Sequence, residues 1–146
     1  MSMPSHFIFI LIILFLLTSF IFLKTFDGKF YTKIEWTYYY IITPGVIKSA
    51  PRLSDTVNYY AKGDDDYGYE INSVTWENVA DVPAAQKKIE QFFIGKGFTE
   101  RHGGKVWSVY WSNILVTPDT CPSEQYSTVW GYHEIRIELI TGTRGC

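Results

Sequence analysis

The chain begins with a continuous apolar run and then changes to short alternating segments separated by polar turns. The run Phe7–Leu23 (FIFILIILFLLTSFIFL) has no charged residue and only Thr18 and Ser19 as polar interruptions. At 1.5 Å rise per residue it spans about 25 Å, and extension through Phe26 gives the usual length of a membrane helix. The pattern therefore predicts an N-terminal membrane anchor over residues 1–26.

A cleaved signal peptide is the competing interpretation of this segment. It requires a basic stretch before the apolar run and a small-x-small cleavage site after it. The residues before Phe7 read MSMPSH and the run ends in FLKTFD, so neither feature is present. No cysteine lies directly after the run, which argues against a lipoprotein. The segment is therefore interpreted as an uncleaved, single-pass signal-anchor that binds the lipid bilayer through Phe7–Leu23.

Two features of the sequence favour opposite orientations of this anchor. Lys24, Lys29 and Lys33 follow the apolar run, and the positive-inside rule alone places the C-terminal part in the cytoplasm. Cys121 and Cys146 favour the other side, because a disulfide between them, closing a loop of about 25 residues, needs an oxidising compartment. We expect that disulfide in a bacterial inner-membrane protein with a periplasmic domain, and the cytoplasmic orientation stays open.

After the anchor, the sequence divides into a juxtamembrane connection over residues 27–50 and a folded domain over residues 51–146. The connection contains Thr37–Ile42, a β-prone run that is an uncertain extra strand. Apolar and aromatic residues are spread along the whole remainder, which argues against disorder. A chain of 146 residues has room for one such domain.

Alternation of apolar and polar residues predicts four strands in the folded domain. The first two, Thr56–Ala61 and Tyr69–Trp76, flank a polar stretch typical of a hairpin turn. The other two are Lys105–Val116 and Val129–Ile140. In the last of them, isoleucine and leucine point one way and charged residues point the other. One buried face and one wet face are typical of an antiparallel sheet covered on a single side.

One helix is predicted between the two pairs of strands. Asp81 can cap it and Pro83 fits its first turn. Ala85, Ile89 and Phe92 then recur at helical spacing, and two glycines supply the end. The predicted fold class is therefore α+β, with one N-terminal transmembrane helix followed by a small antiparallel sheet of about four to five strands and one packed helix.

Few residues of the chain suggest catalysis or metal binding. The acidic triplet Asp64–Asp66 does not fit a calcium-binding loop and is interpreted as a solvated hairpin tip. His6, His102 and His133 show no zinc-ligand spacing, and we expect His133, on an inward-facing strand position, to be partly buried. No Gly-x-Ser-x-Gly and no helix-opening glycine-rich loop occurs. We predict no catalytic site, no metal and no cofactor.

The aromatic residues give the one indication of a binding site. Most of the tryptophan and tyrosine rings of the last two strands are assigned to the core. If Trp130 and Tyr132 share the face of Glu134 and Arg136, however, they are exposed. Exposed Trp, Tyr and Arg are the residue types that concentrate binding energy at protein interfaces. These four residues are therefore the predicted partner-binding site.

Charge and architecture together suggest a class of function. A formal net charge of −2 does not favour nucleic acid as a partner. We expect a non-enzymatic, membrane-anchored periplasmic binding module, in its concrete form an immunity protein that inhibits a secreted antibacterial toxin. The alternative is an accessory single-pass subunit of a membrane protein complex. The apolar run lacks the small residues that let membrane helices approach closely, which argues against this alternative.

Overall fold

The protein is built around one antiparallel sheet and a small number of helices. The structure, a computed structural model, describes residues 5–26, 28–63, 69–101, 108–112 and 124–142. The elements in chain order are α1 (Ser5–Phe26), β1 (Lys29–Tyr31), a π-helical turn (Tyr38–Ile42), α2 (Gly45–Lys48), β2 (Thr56–Lys62), β3 (Tyr69–Glu77), α3 (Val82–Gly95), β4 (Thr99–Arg101), β5 (Ser108–Ser112), β6 (Glu124–Trp130) and β7 (Ile135–Gly142).

The seven strands form one sheet in the order β1-β2-β3-β7-β6-β5-β4, and every neighbouring pair is antiparallel. Two meanders make up this order. β1 to β3 run from one edge to the centre, and β4 to β7 run from the other edge back to the centre. α3 connects them by crossing from β3 to the far edge. The pairing of β3 with β7 then joins the two meanders into a single sheet.

One face of the sheet carries the core. Val74, Ile135 and Ile137 lie at its centre and are fully buried. α3 covers the half formed by β5 and β6, where Phe93 stacks on Trp111 with a centroid distance of 4.9 Å. The other half, formed by β1 to β3, is covered by the π-helical turn and α2. Two covering layers therefore lie side by side on this face: α3 over one half of the sheet and, as the second covering layer, the π-helical turn with α2 over the other half.

Aromatic contacts hold the second covering layer in place. The Tyr39 ring of the π-helical turn makes an edge contact with Tyr59 of β2 at 5.2 Å. Tyr31 of β1 shares a hydrogen bond of 2.7 Å between its hydroxyl and that of Thr43, which lies just beyond the turn. Ile47 of α2 is buried against the same cluster. The segment 28–50 thus contributes both an edge strand and core side chains.

Several local predictions are confirmed. Strands occur at the positions of Thr56–Ala61 and Tyr69–Trp76, and these two pair as a hairpin. The Asp81 side chain caps α3 by accepting a hydrogen bond of 2.9 Å from the Ala84 backbone amide.

The number of strands was predicted wrongly. The sheet has seven strands instead of four to five, because β1 and β4 are edge strands of three residues, too short to show alternation. The predicted strand Val129–Ile140 is a hairpin of β6 and β7, closed by a turn in which the Gly131 amide donates to the Glu134 carbonyl at 2.8 Å. The uncertain strand within Thr37–Ile42 is a π-helical turn.

The membrane anchor over Phe7–Leu23 must also be corrected. In the part of the chain that the structure describes, no helix is both long and apolar enough to cross a bilayer. The transmembrane part of the predicted fold class and the single-pass inner-membrane location with a periplasmic domain are corrected with it.

Some sequence predictions fall on residues that the structure does not describe. Cys121 and Cys146 both lie outside the described residues, and no disulfide occurs within them. The acidic triplet Asp64–Asp66 and His102 also lie outside them. His133 is described, and the expectation of an inward-facing strand position is wrong: it lies in the β6–β7 turn with an exposed side chain, whose Nδ1 is 3.4 Å from the Val79 carbonyl oxygen.

The rings of Tyr31, Tyr39 and Tyr59 form a tyrosine cluster. Because of it, the free energy of unfolding depends on pH in the alkaline range. Burial raises the pKa of Tyr59 and of Tyr31 above the ordinary value of 10.0. Above about pH 10 the unfolded chain loses these protons while the folded chain keeps them, so the free energy of unfolding falls as pH rises, by up to about 1.4 kcal/mol per pH unit for each such proton.

We therefore expect Tyr59→Phe to flatten the fall in stability above pH 10. The check is urea denaturation of both chains at several pH values from 8 to 11. The control is Tyr132→Phe, because Tyr132 is 91% exposed and should leave the wild-type slope unchanged. An equal slope in the wild type and Tyr59→Phe would contradict this account of the cluster.

Candidate functional site

An open groove lies between α3 and the strands β4 to β6. Its volume is about 230 Å³. The residues that line it come from four elements and include both carboxylates and large rings. They are Gln86, Ile89, Glu90, Glu100, Val109, Trp111, Thr128 and Trp130. We call this site the acidic groove.

The helix that forms one wall of the groove is fixed by apolar contacts. Phe93 is fully buried and packs against Trp111, Phe98 and Tyr126 at centroid distances of 4.9 to 5.6 Å. Ile89 lies one turn earlier and is also buried. Side chains three and four residues apart share a helix face, so Gln86 and Glu90 flank Ile89 at the groove. The core packing of α3 thereby sets the position of the Glu90 carboxylate.

The register of the sheet brings the other residues of the groove together. Glu100 of β4 pairs with Trp111, and Val109 pairs with Thr128 of β6. Cross-strand partners project from the same face, so all four lie on the face that α3 covers. The Trp111 indole Nε1 donates a hydrogen bond of 3.0 Å to the Thr128 hydroxyl. Trp111 forms the floor of the groove, and this bond satisfies its indole N–H inside the protein.

The described lining of the groove contains two carboxylates and several apolar side chains. Glu90 is exposed and, among the described residues, has no basic side chain within 4.0 Å. No lysine or arginine belongs to the described lining. Trp130 is half-buried and packs against the core from the groove side. An aromatic surface beside carboxylates suits a cation on an apolar stem.

The structure divides the four residues predicted to bind a partner. Trp130 pairs with Ile135 and so lies on the core face, where it lines the acidic groove. Glu134 and Arg136 project from the opposite, open face. Tyr132 is exposed in the turn between the two strands. The sheet thus separates Trp130 from the charged pair with which it was predicted to act.

The open face carries a loose row of charges along β7. The Arg136 guanidinium lies 3.9 Å from both Glu134 and Glu138, at the long end of ion-pair distances. All three side chains are partly exposed to water, so these pairs contribute little to stability. Arg136 Nε is buried and has no hydrogen-bond partner within the described residues. This row stays a predicted binding surface, separate from the groove.

Sequence reasoning missed the acidic members of the groove. Glu90 and Glu100 lie 40 and 30 residues before Trp130, on a helix and an edge strand. Their proximity depends on the crossover of α3 to the far edge of the sheet. The available signal was the position of Glu90 one residue after Ile89, which places it at the border of the apolar helix face.

The described residues offer no assembled catalytic group. No set of three or more His, Cys, Asp or Glu side chains is placed among them to hold a metal ion. His133, the histidine with a described side chain, approaches only a backbone carbonyl. Comparison with protein-family models, with curated proteins and with solved structures gave no match, so the groove itself carries the functional argument.

Proposed function

We propose that this protein is a non-enzymatic binding module whose acidic groove receives a basic side chain of a partner protein. The observation that carries the proposal is the combination of Glu90 and Glu100 with the half-buried Trp130 around one groove. In its concrete form the module is an immunity protein, which neutralises an antibacterial toxin by occupying a basic site on it. Its small size and acidic recognition surface support that form.

The dimensions of the groove support a side chain as its occupant. Sites for drug-sized molecules usually measure about 300–1,000 Å³, and this groove is smaller. A lysine or arginine stem can lie along Trp130 and Val109 while its charged head reaches the carboxylates. Burying the stem removes apolar surface from water, and the paired charge avoids the cost of a lone buried ion. One anchoring residue in a pocket is typical of an interface hot spot.

Electrostatics favour a basic protein over a nucleic acid. The phosphate backbone is attracted by lysine and arginine, whereas the described lining of the groove contains two glutamates and no lysine or arginine. Opposite charge on the partner also increases the rate of association, and this contribution decreases with added salt. We therefore expect partner binding that weakens as the ionic strength is raised.

Charge reversal at Glu90 tests the proposal directly. Glu90→Lys is expected to weaken partner binding at least about tenfold, since it removes an attraction and adds a repulsion at the anchor. The measurement compares immobilised full-length wild type and variant for capture of a partner from lysates of competing bacteria. The affinity for the captured protein is then measured at two salt concentrations. Inhibition of that protein's toxicity by the wild type tests the immunity function.

A matched charge reversal on the other face distinguishes the two surfaces. Glu134→Lys changes the net charge equally, but the residue lies on the open face with Arg136. The proposal predicts that this variant retains the partner. If Glu134→Lys loses the partner and Glu90→Lys keeps it, the open face is the binding surface and the acidic groove is not.

A further inference from the structure

A second cavity lies at the other half of the covered face. It is bounded by β2, β3, α2 and the segment that leads into β2, and its volume is about 200 Å³. Its apolar wall includes Ile47, Val57 and Trp76, of which Ile47 and Trp76 are almost fully buried. It shares no described lining residue with the acidic groove. We call this cavity the basic pocket.

The described lining of the basic pocket contains three basic residues and one carboxylate. The cations are Lys33, Lys48 and Arg52, and the carboxylate is Asp55. Arg52 and Asp55 form an ion pair with an Nη2–Oδ1 distance of 2.7 Å, so this carboxylate already has a partner. The two lysines have no carboxylate within 4.0 Å among the described residues. The pocket therefore has a net positive charge.

The contacts of the two lysines leave them able to bind an anion. Lys48 Nζ donates one hydrogen bond, of 3.1 Å, to the Tyr40 carbonyl, and an ammonium group has three donors. Lys33 Nζ lies 5.5 Å from the centroid of the Tyr39 ring and is otherwise exposed. Lys48 belongs to α2, and Lys33 lies between β1 and the π-helical turn, which the Tyr39–Tyr59 contact holds against β2. Both lysines therefore line a cavity that also has an apolar wall.

We propose that the basic pocket binds a small carboxylate with an apolar body, which inserts against Ile47, Val57 and Trp76 while its carboxylate pairs with Lys33 and Lys48. The apolar wall excludes a bare phosphate as the preferred ligand, because a phosphate would lose water there without gaining apolar contact. The same chemistry is offered by a free organic acid and by the C-terminal carboxylate of a chain ending in an apolar residue. This site is independent of the proposed function of the acidic groove.

Titration of the full-length chain with three probes tests the site. The readout is the indole ¹⁵N–¹H signal of Trp76, assigned with Trp76→Phe. 3-Phenylpropionate is expected to shift this signal saturably, and the neutral 3-phenylpropanol to bind at least about fivefold more weakly because it lacks the ion pair. Inorganic phosphate should bind more weakly than 3-phenylpropionate. Equal binding of acid and alcohol, tighter binding of phosphate, or no shift of Trp76 would overturn the proposal.

Two variants and one control make the result specific to the pocket. Lys48→Met and Lys33→Gln should each weaken 3-phenylpropionate about fivefold, and the exposed Lys87→Met on α3 should not. Unchanged affinity in both pocket variants would also overturn the site. A peptide with a C-terminal phenylalanine carboxylate, compared with its amide, identifies the source. Preference for the free-acid peptide supports the site with a chain terminus as ligand, and binding of the organic acid alone supports it with a free acid.

Discussion

Phe93→Ala is expected to lower the free energy of unfolding by about 4 kcal/mol. Phe93 is 0% exposed and contacts four other described rings, including a near-parallel stack on Trp111 with an interplanar angle of 10°. Truncation removes this buried surface and leaves a cavity that the ordered sheet beneath cannot fill by collapse. α3 also loses its main anchor to β5 and β6, so the acidic groove should be distorted as well.

Matched variants separate this packing effect from a general effect of substituting the helix. Phe93→Leu keeps most of the volume and should cost roughly 1.5 kcal/mol. Phe92→Ala, at a half-buried neighbouring position, should cost less than Phe93→Ala. The measurement is urea denaturation, monitored by tryptophan fluorescence. If Phe93→Ala lowered the free energy of unfolding by no more than Phe92→Ala does, the placement of α3 on the sheet would be contradicted.

Trp130→Ala is expected to weaken partner binding about 30-fold, the effect of losing a hot-spot residue worth about 2 kcal/mol. Trp130 supplies the aromatic wall of the acidic groove, and no other described lining residue can replace the surface it offers to an aliphatic stem. Because the ring is half-buried against the core, the variant should also lose about 1–2 kcal/mol of stability. Affinity for the partner captured by the wild type is the measurement.

Two further alanine variants show which surface binds. Tyr132→Ala changes an exposed side chain of the β6–β7 turn, and Arg136→Ala changes the open face. If the acidic groove binds the partner, both should retain it within about threefold, as most peripheral contacts do. If Tyr132→Ala and Arg136→Ala lost partner binding while Trp130→Ala kept it, the binding surface would be the turn and the open face instead.

Alternation predicted which side chains of the last strand lie in the core but not where the strand begins. Ile135, Ile137 and Leu139 are buried as their spacing indicates. The run Val129–Ile140 contains no proline and no Asn-Gly or Asp-Gly pair that would mark a turn, so the pattern conceals a hairpin. On one continuous strand, Trp130 would share a face with Glu134. In the hairpin it pairs with Ile135 and therefore lies on the other face.

The groove and the edge strands depend on long-range pairing that no local pattern reports. Glu100 reaches the groove only because β4 pairs with β5 at the far edge of the sheet. Tyr31 and Tyr39 enter the core only because β1 adds to β2 and the π-helical turn folds over it. For α1, in contrast, a local pattern was present but gave the wrong prediction. Its apolar composition suggested a membrane span, which the described helix does not support.

The most direct measurement of the central claim is the response of the Trp130 indole signal to a single basic side chain. N-acetyl-arginine amide is titrated into the full-length protein, with N-acetyl-norleucine amide as its neutral counterpart. Binding in the acidic groove predicts a saturable shift with the arginine derivative that is much weaker with norleucine and is lost in Glu90→Gln. Equal shifts with both compounds, or an arginine shift that persists in Glu90→Gln, would contradict it.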